Sequence, residues 1–153
     1  MRITDKFSIR SLGDPDSDEP IKSHLFLDGN DCGIAVAGSC LEAAVEGENF
    51  YLLFLTNGNP FEDFLNIHML DNYGALVDSC ALGAPYSTGS FSALKLLGER
   101  SISFRFIGDT VWQLEVFPTW RWRVPIVSEH FGVWRRRLLR FHFQLRGSPV
   151  AQA

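Results

Sequence analysis

The chain has 153 residues, of which 46% are hydrophobic and 21% charged, and its formal net charge is −4. A chain of this length predicts one domain whose core is large enough to be stable without disulfides or a structural metal. The acidic balance argues against a nucleic-acid partner, and the glycine, proline and asparagine residues that interrupt the long uncharged stretches argue against a membrane-spanning helix.

Charge is distributed unevenly along the chain. Residues 1–80 contain 14 acidic and 4 basic side chains, whereas residues 81–153 contain 4 acidic and 10 basic ones, which gives −10 and +6 for the two parts. Cross-strand ion pairs within one sheet would explain this asymmetry, and so would a basic face directed at an acidic partner. Both interpretations remain open at the level of the sequence.

The three cysteines, Cys32, Cys40 and Cys80, are an odd number and lack the close pairing of a zinc site. Residues 1–10 alternate polar and apolar side chains instead of forming the charged and then apolar leader of a secreted protein. We therefore expect free thiols, a cytoplasmic location, no metal and no cofactor.

Period-two alternation predicts the first strands. Residues 6–12 form one candidate and residues 21–27 the next, and the intervening GDPDSDEP has no apolar side chain except prolines, which predicts an exposed acidic loop. The expected organisation is an N-terminal strand with its acidic loop (1–20), an antiparallel β domain (21–146) and a flexible tail (147–153).

The segment 40–46 fits two structures. Ser39 and Glu42 have the spacing of a helix capping box and Gly47 is a typical helix-ending residue, which together predict two turns of helix. The same segment also alternates apolar and polar residues as a strand does. The sequence leaves this choice open.

Residues 50–55, with the sequence FYLLFL, are apolar on both faces, which is typical of a strand buried on both sides. Further strands are predicted over 64–70, 75–82 and 91–97, separated by turn residues. Turns at intervals of about 8 to 12 residues indicate a mainly β fold. We expect a single-domain antiparallel meander that forms a barrel or a sandwich, with at most one or two short helices.

The clearest signal is a β-hairpin that begins at Ser101. Apolar and polar residues alternate on both sides of the Gly108-Asp109 pair, and glycine allows the positive φ that a two-residue turn requires. The apolar positions of the two strands are Ile102, Phe104, Phe106, Trp112, Leu114 and Val116.

Tryptophan and arginine alternate directly beyond this hairpin. After Pro118, Trp120 and Trp122 are interleaved with Arg121 and Arg123, which predicts a third strand with one aromatic and one cationic face.

The C-terminal region again fits two structures. Ser128 is a candidate N-cap for a helix over 128–138 that places Phe131, Trp134 and Leu138 on one face, and strand remains the alternative. Residues 139–146 alternate cleanly and predict a final half-buried strand.

Catalytic patterns are not recognisable. The serines lack the glycine-flanked elbow of a hydrolase, and no glycine-rich phosphate loop is present. His68 is a candidate general base beside Asp63, Asp71 or Asp78, but a structural role for this histidine is favoured because no third partner is evident. The sequence therefore favours a protein that is not an enzyme.

A binding surface rich in arginine and tryptophan is the remaining functional hypothesis. This composition dominates interface hot spots and suits an acidic protein partner. The candidate binding residues are Trp120, Arg121, Trp122, Arg123, Trp134, Arg135, Arg136, Arg137 and Arg140. The opposing interpretation is that the tryptophans belong to the core and the arginines to a solvated strand edge. A second functional hypothesis is a small β-barrel carrier whose 13 phenylalanines and 4 tryptophans line a cavity for an apolar ligand.

Overall fold

The computed structural model describes residues 1–14, 16–58, 63–83, 89–108, 110–122, 133–135 and 140–149. Within these residues all regular secondary structure is β-strand, and no helix there is long and apolar enough to cross a membrane. The strands are β1 (Arg2–Ile3), β2 (Phe7–Ser11), β3 (Lys22–Leu27), β4 (Asn30–Ala37), β5 (Cys40–Glu46), β6 (Phe50–Thr56), β7 (Leu65–Asp71), β8 (Leu76–Leu82), β9 (Ser92–Leu96), β10 (Ser101–Arg105), β11 (Thr110–Trp122), β12 (Val133–Arg135) and β13 (Arg140–Pro149).

These strands form three antiparallel sheets. The central sheet has six strands in the order β1-β5-β6-β7-β8-β12. The C-terminal sheet has the order β13-β11-β10-β9, and the N-terminal sheet has the order β2-β3-β4. Each of the three is an open sheet with its own edge strands, and the other two pack against opposite faces of the central sheet.

The middle of the central sheet is buried on both faces. All seven residues of β6 are buried, because Leu52 and Phe54 pack toward the C-terminal sheet while Leu53 and Leu55 pack toward the N-terminal sheet. The prediction that residues 50–55 form a doubly buried strand is confirmed. The protein is thus a three-layer β stack with two hydrophobic cores.

The hairpin predicted from alternation is confirmed, and its apolar side chains form one half of the larger core. Ile102, Phe104, Phe106, Trp112, Leu114 and Val116 are all buried. The connection is longer than the predicted two residues, because Arg105 is the partner of Val111 in the ladder. Ile107 and Gly108 both have positive φ, of 63° and 57°, in this wider loop.

Strand β11 corrects one prediction about the region that follows. Pro118 does not separate two strands, since β11 runs without a break from Thr110 to Trp122. Its register with β13 is irregular between Val116 and Arg121, where the proline has no N–H to donate to the ladder. The predicted third strand is therefore the distal half of the second.

Two segments with alternative predictions are strands in the described residues. Segment 40–46 is β5, which pairs with β6 and has a bulge at Glu42 between the Leu41 and Ala43 partners. Val133–Arg135 is β12, paired with β8, and the rest of the predicted helix 128–138 lies outside the described residues. In both places tertiary strand pairing overrides the local helix signal.

The two ends of the chain are more closely tied to the fold than the predicted organisation implied. Phe7 in β2 is buried with its ring edge-on to Tyr51, at a centroid distance of 4.9 Å. Strand β13 extends to Pro149, so residues 147–149 of the predicted tail are paired with β11.

Candidate binding site

Of the nine predicted binding residues, the structure describes the side chains of three, and these three differ in exposure. Trp120 and Trp134 are exposed, by 40% and 61%, while the side chain of Arg135 is buried. Arg121 and Trp122 belong to β11 and Arg140 belongs to β13. For these three residues the structure describes only the backbone. Arg123, Arg136 and Arg137 lie outside the described residues.

Arg135 is part of the interior, which corrects its assignment to a binding surface. Its Nη1 is 3.0 Å from Asp78 Oδ2, and the two side chains are 1% and 0% exposed. The guanidinium also donates to the Phe143 carbonyl and lies 4.5 Å from the centroid of the Phe143 ring. Because Arg135 is opposite Cys80 in the ladder, it faces the C-terminal sheet and requires a buried counterion there.

Asp78 is the central acceptor of this cluster, and the sequence analysis did not identify that role. Its Oδ2 accepts from the His142 backbone N–H at 2.8 Å, and its Oδ1 accepts from the Ser79 backbone N–H at 2.8 Å. The Asp78 carboxylate therefore connects β8, β12 and β13 through an ion pair and backbone hydrogen bonds. One acidic residue in a strand that is otherwise largely apolar was the feature of the sequence that could have indicated this buried role.

Trp134 faces the opposite side of the same sheet. It is opposite Ala81 in the ladder, so its indole points toward the side occupied by the N-terminal sheet. In β8 the N-terminal core includes Leu76 but not Ala81, and the Trp134 ring opposite Ala81 is exposed. The indole Nε1–H donates to the Gly83 carbonyl at 3.3 Å. This bond orients the ring on the surface.

The groove beside Trp134 has a volume of about 260 Å³. It is smaller than a second groove of about 450 Å³ at a different place on the surface. One face of β7 and β8 forms the floor of this smaller groove, and the end of β4 forms one wall. We call it the Trp134 groove. Its lining residues are Ala37, Asn66, His68, Ser79, Cys80, Ala81, Trp134 and Arg135.

His68 is a buried connector between two sheets. Its Nε2 is 2.9 Å from the Ala37 carbonyl oxygen and its Nδ1 is 2.8 Å from Ser79 Oγ. A carbonyl accepts only, so in the neutral ring Nε2 carries the proton and Nδ1 accepts from the serine hydroxyl. The partners found for the ring are thus a carbonyl and a hydroxyl, which hold the N-terminal sheet to the central sheet.

Asn66 continues the polar floor toward the loop after β6. Its Nδ2 donates to the Asn57 Oδ1 at 2.8 Å and to the Leu55 carbonyl at 3.3 Å. Asp63 Oδ1 accepts from the Asn57 backbone N–H at 2.9 Å. These bonds make the floor of the groove a preorganised polar surface instead of a set of free side chains.

Three pKa values are shifted at residues away from the Trp134 groove, by hydrogen bonds, charges or burial. Hydrogen bonds from Lys6 and then Arg2 lower the pKa of the Glu46 carboxyl, and the bond to Glu46 raises the pKa of the Lys6 amine. Burial and then the nearby Asp31 raise the pKa of the Cys32 thiol, which favours the neutral form. These groups lie on β1, β4, β5 and the β1–β2 connection, away from Trp134.

The described residues contain no cluster of three or more His, Cys, Asp or Glu side chains with the arrangement of a metal site. Cys32, Cys40 and Cys80 are free thiols, of which Cys40 is exposed.

Comparisons with protein-family models, with curated proteins and with solved structures give no match.

Proposed function

We propose that this chain is a non-enzymatic binding module that recognises an acidic surface on another protein through the face that carries Trp134. The observation that carries the proposal is the exposure of a large aromatic ring next to a structured groove.

Trp134 has the properties of an interface anchor. Its ring is 61% exposed, whereas its neighbour Arg135 in the same strand has a buried side chain. Tryptophan contributes a large apolar area at a small cost in side-chain entropy, and it is enriched among interface hot spots. The bond from Nε1 to Gly83 reduces that entropy cost further, because the ring is already oriented before binding.

The size of the groove favours a protein partner over a small-molecule ligand. Its volume of about 260 Å³ is below the roughly 300–1,000 Å³ of pockets that enclose small molecules. A groove of this size accommodates one or two side chains of a partner beside the indole.

The acidic character of the partner is supported by the sequence. Residues 81–153 have a net charge of +6, and Arg135, whose side chain is described, has its charge compensated by Asp78. The proposal therefore omits Arg135. It retains Arg121, Arg123, Arg136, Arg137 and Arg140 as the cations that complement the partner.

The packing of the phenylalanine rings argues against the alternative of an apolar carrier. Phenylalanine rings that would line a cavity pack on one another instead, with Phe54 5.5 Å from Phe104 and Phe91 5.6 Å from Phe104. The carrier hypothesis stays a prediction of the sequence alone.

The first experiment compares two exposed aromatic residues. Chemical cross-linking in cells that produce the protein should capture a partner with the wild-type chain and lose it with Trp134→Ala. Tyr73→Ala is the matched control, since Tyr73 is 93% exposed in the turn between β7 and β8. Equal capture by the Trp134→Ala and wild-type chains would refute the proposal.

The second experiment tests the charge of the partner. Replacement of Arg121, Arg123, Arg136 and Arg137 by glutamate should abolish capture of the same partner. The control variant reverses four exposed cations away from Trp134, namely Arg10, Lys22, Arg105 and Arg146, and should retain it. Retention by both variants would show that the partner is not selected by its negative charge.

A further inference from the structure

A second groove lies at the opposite edge of the central sheet from Trp134, where that sheet and the C-terminal sheet both end. It has a volume of about 450 Å³ and lies between β5 of the central sheet and β9 of the C-terminal sheet. Strands β5 and β12 are four strand intervals apart, or about 19 Å at the usual spacing. The two grooves are therefore separate surfaces. We call this one the edge groove.

Both strands beside the edge groove are incompletely paired. The short strand β1 covers only the end of β5, through Arg2 opposite Glu46 and Ile3 opposite Val45. The Thr4 backbone N–H then donates to the Ala44 carbonyl, and the chain leaves toward β2. Among the described strands, residues 40–43 of β5 pair only with β6, and β9 pairs only with β10.

Each of these edges contains a bulge at the groove. Glu42 is the extra residue of β5, and Ala93, with φ of 54°, lies at the register shift of β9. Bulges limit pairing along an edge and redirect side chains. A strand added here is therefore short. Residues 40–43 offer about 13 Å of edge at about 3.3 Å per residue, enough for about four residues of a partner.

The chemistry of the edge groove is apolar at its floor and acidic at its rim. Ala43, Phe91 and Leu94 are half-buried and pack on the core, with the Phe91 ring 5.2 Å from that of Phe54. Asp5 and Glu42 are exposed at the rim, where Glu42 Oε1 accepts a hydrogen bond from Thr56 Oγ1 at 2.7 Å. No lysine or arginine is among the described residues that line the groove, so its charge complement is a cation.

We infer that the edge groove binds an extended segment of a partner protein that alternates apolar and basic residues and adds to β5 as a continuation of β1. Backbone hydrogen bonds to the free edge supply affinity, apolar side chains enter above Ala43 and Phe91, and basic side chains pair with Asp5 and Glu42. The inference uses none of the residues of the proposed Trp134 surface, so each can fail without the other.

The test uses an acetylated, amidated octapeptide of alternating valine and lysine, titrated into the ¹⁵N-labelled full-length chain. We expect amide shift changes confined to residues 3–5, 40–44 and 91–94. Asp5→Lys reverses a rim charge and Ser92→Trp fills the groove from an exposed position, and each should weaken binding at least about tenfold. Asp16→Lys, an equal charge change in the exposed acidic loop, should leave binding unchanged.

Two further peptides separate the contributions. A valine–glutamate octapeptide should not bind, and a valine–lysine octapeptide N-methylated at alternate residues should lose binding because it lacks N–H donors for the edge. Equal binding of the acidic peptide, shift changes at other residues, or no change at about 1 mM peptide would overturn the inference. A wild-type dimer that Ser92→Trp converts to a monomer would also overturn it, by assigning the groove to a second copy of the chain.

Discussion

The two faces of the central sheet differ in how far their side chains are buried at β8 and β12. On the face toward the C-terminal sheet, Asp78 and Arg135 are buried as an ion pair beside β13. On the other face, Ser79 is buried beside His68, whereas Trp134, the residue before Arg135, is 61% exposed at the groove. Burial at this end of the sheet thus does not follow the polarity of the side chain.

The largest expected effect comes from breaking the buried ion pair. Arg135→Met leaves Asp78 buried without its counterion, which should lower the free energy of unfolding by about 3–5 kcal/mol. Trp134→Ala, one residue earlier on the exposed face, should cost less than about 1 kcal/mol. Urea denaturation followed by far-ultraviolet circular dichroism measures both. Similar losses for the two variants would contradict the opposite placement of these neighbours.

A comparable loss of stability is expected when a cavity is made on either side of β6. Phe54→Ala opens a cavity in the core toward the C-terminal sheet and should cost about 3–5 kcal/mol, while Leu53→Ala does so toward the N-terminal sheet and should cost about 2–5 kcal/mol. Glu115→Ala, at an exposed position of β11, is the control and should stay within about 0.5 kcal/mol of the wild type. A loss below about 1 kcal/mol for Leu53→Ala would mean that the N-terminal sheet is not a packed layer.

A substitution in the floor of the Trp134 groove should cause a smaller loss of stability. Ser79→Ala removes the hydroxyl that donates to His68 Nδ1 and should destabilise the protein by about 1–3 kcal/mol. Ser8→Ala, an exposed serine on β2, should be nearly neutral. The measurement is again the free energy of unfolding. An unchanged value for Ser79→Ala would argue against a structural role for this pair.

The smallest effect is expected for the exposed ion pairs of Glu46. The pKa of this carboxyl is lowered in the folded state, so its contribution to stability is present above the ordinary value of 4.5 and is lost as the pH falls through the lower folded value. The raised pKa of Lys6 acts in the opposite sense: its contribution is present below 10.5 and is lost as the pH rises through the folded value.

Glu46→Gln should therefore flatten the decrease in melting temperature below about pH 4.5 relative to the wild type. In 1 M NaCl the two proteins should behave alike, since exposed pairs are screened by salt. An identical acid profile of both proteins at low salt would show that Glu46 is not paired in solution.

Strand positions were predictable from the sequence because period-two alternation is a local signal of which side of a strand is buried. Alternation placed Ile102 and Phe104 in the core, and continuous apolar residues identified β6 as buried on both faces. The strand at 40–46 was undecided because the helix cap and the alternation are equally local. Pairing with β6, which the segment itself does not encode, resolved it.

The candidate site was less predictable, since it depends on which residues distant in the chain cover each face. The sequence by itself determined a β protein whose aromatic and arginine residues alternate near its C-terminal end. Only the tertiary structure decided that Trp134 is exposed and Arg135 buried, whereas the sequence predicted both at one binding surface and offered buried tryptophan with solvated arginine as the opposing interpretation. The physical reason is that alternation assigns neighbours to opposite faces but does not say which face is covered, and Asp78, 57 residues from Arg135, provides the charge that makes burial favourable.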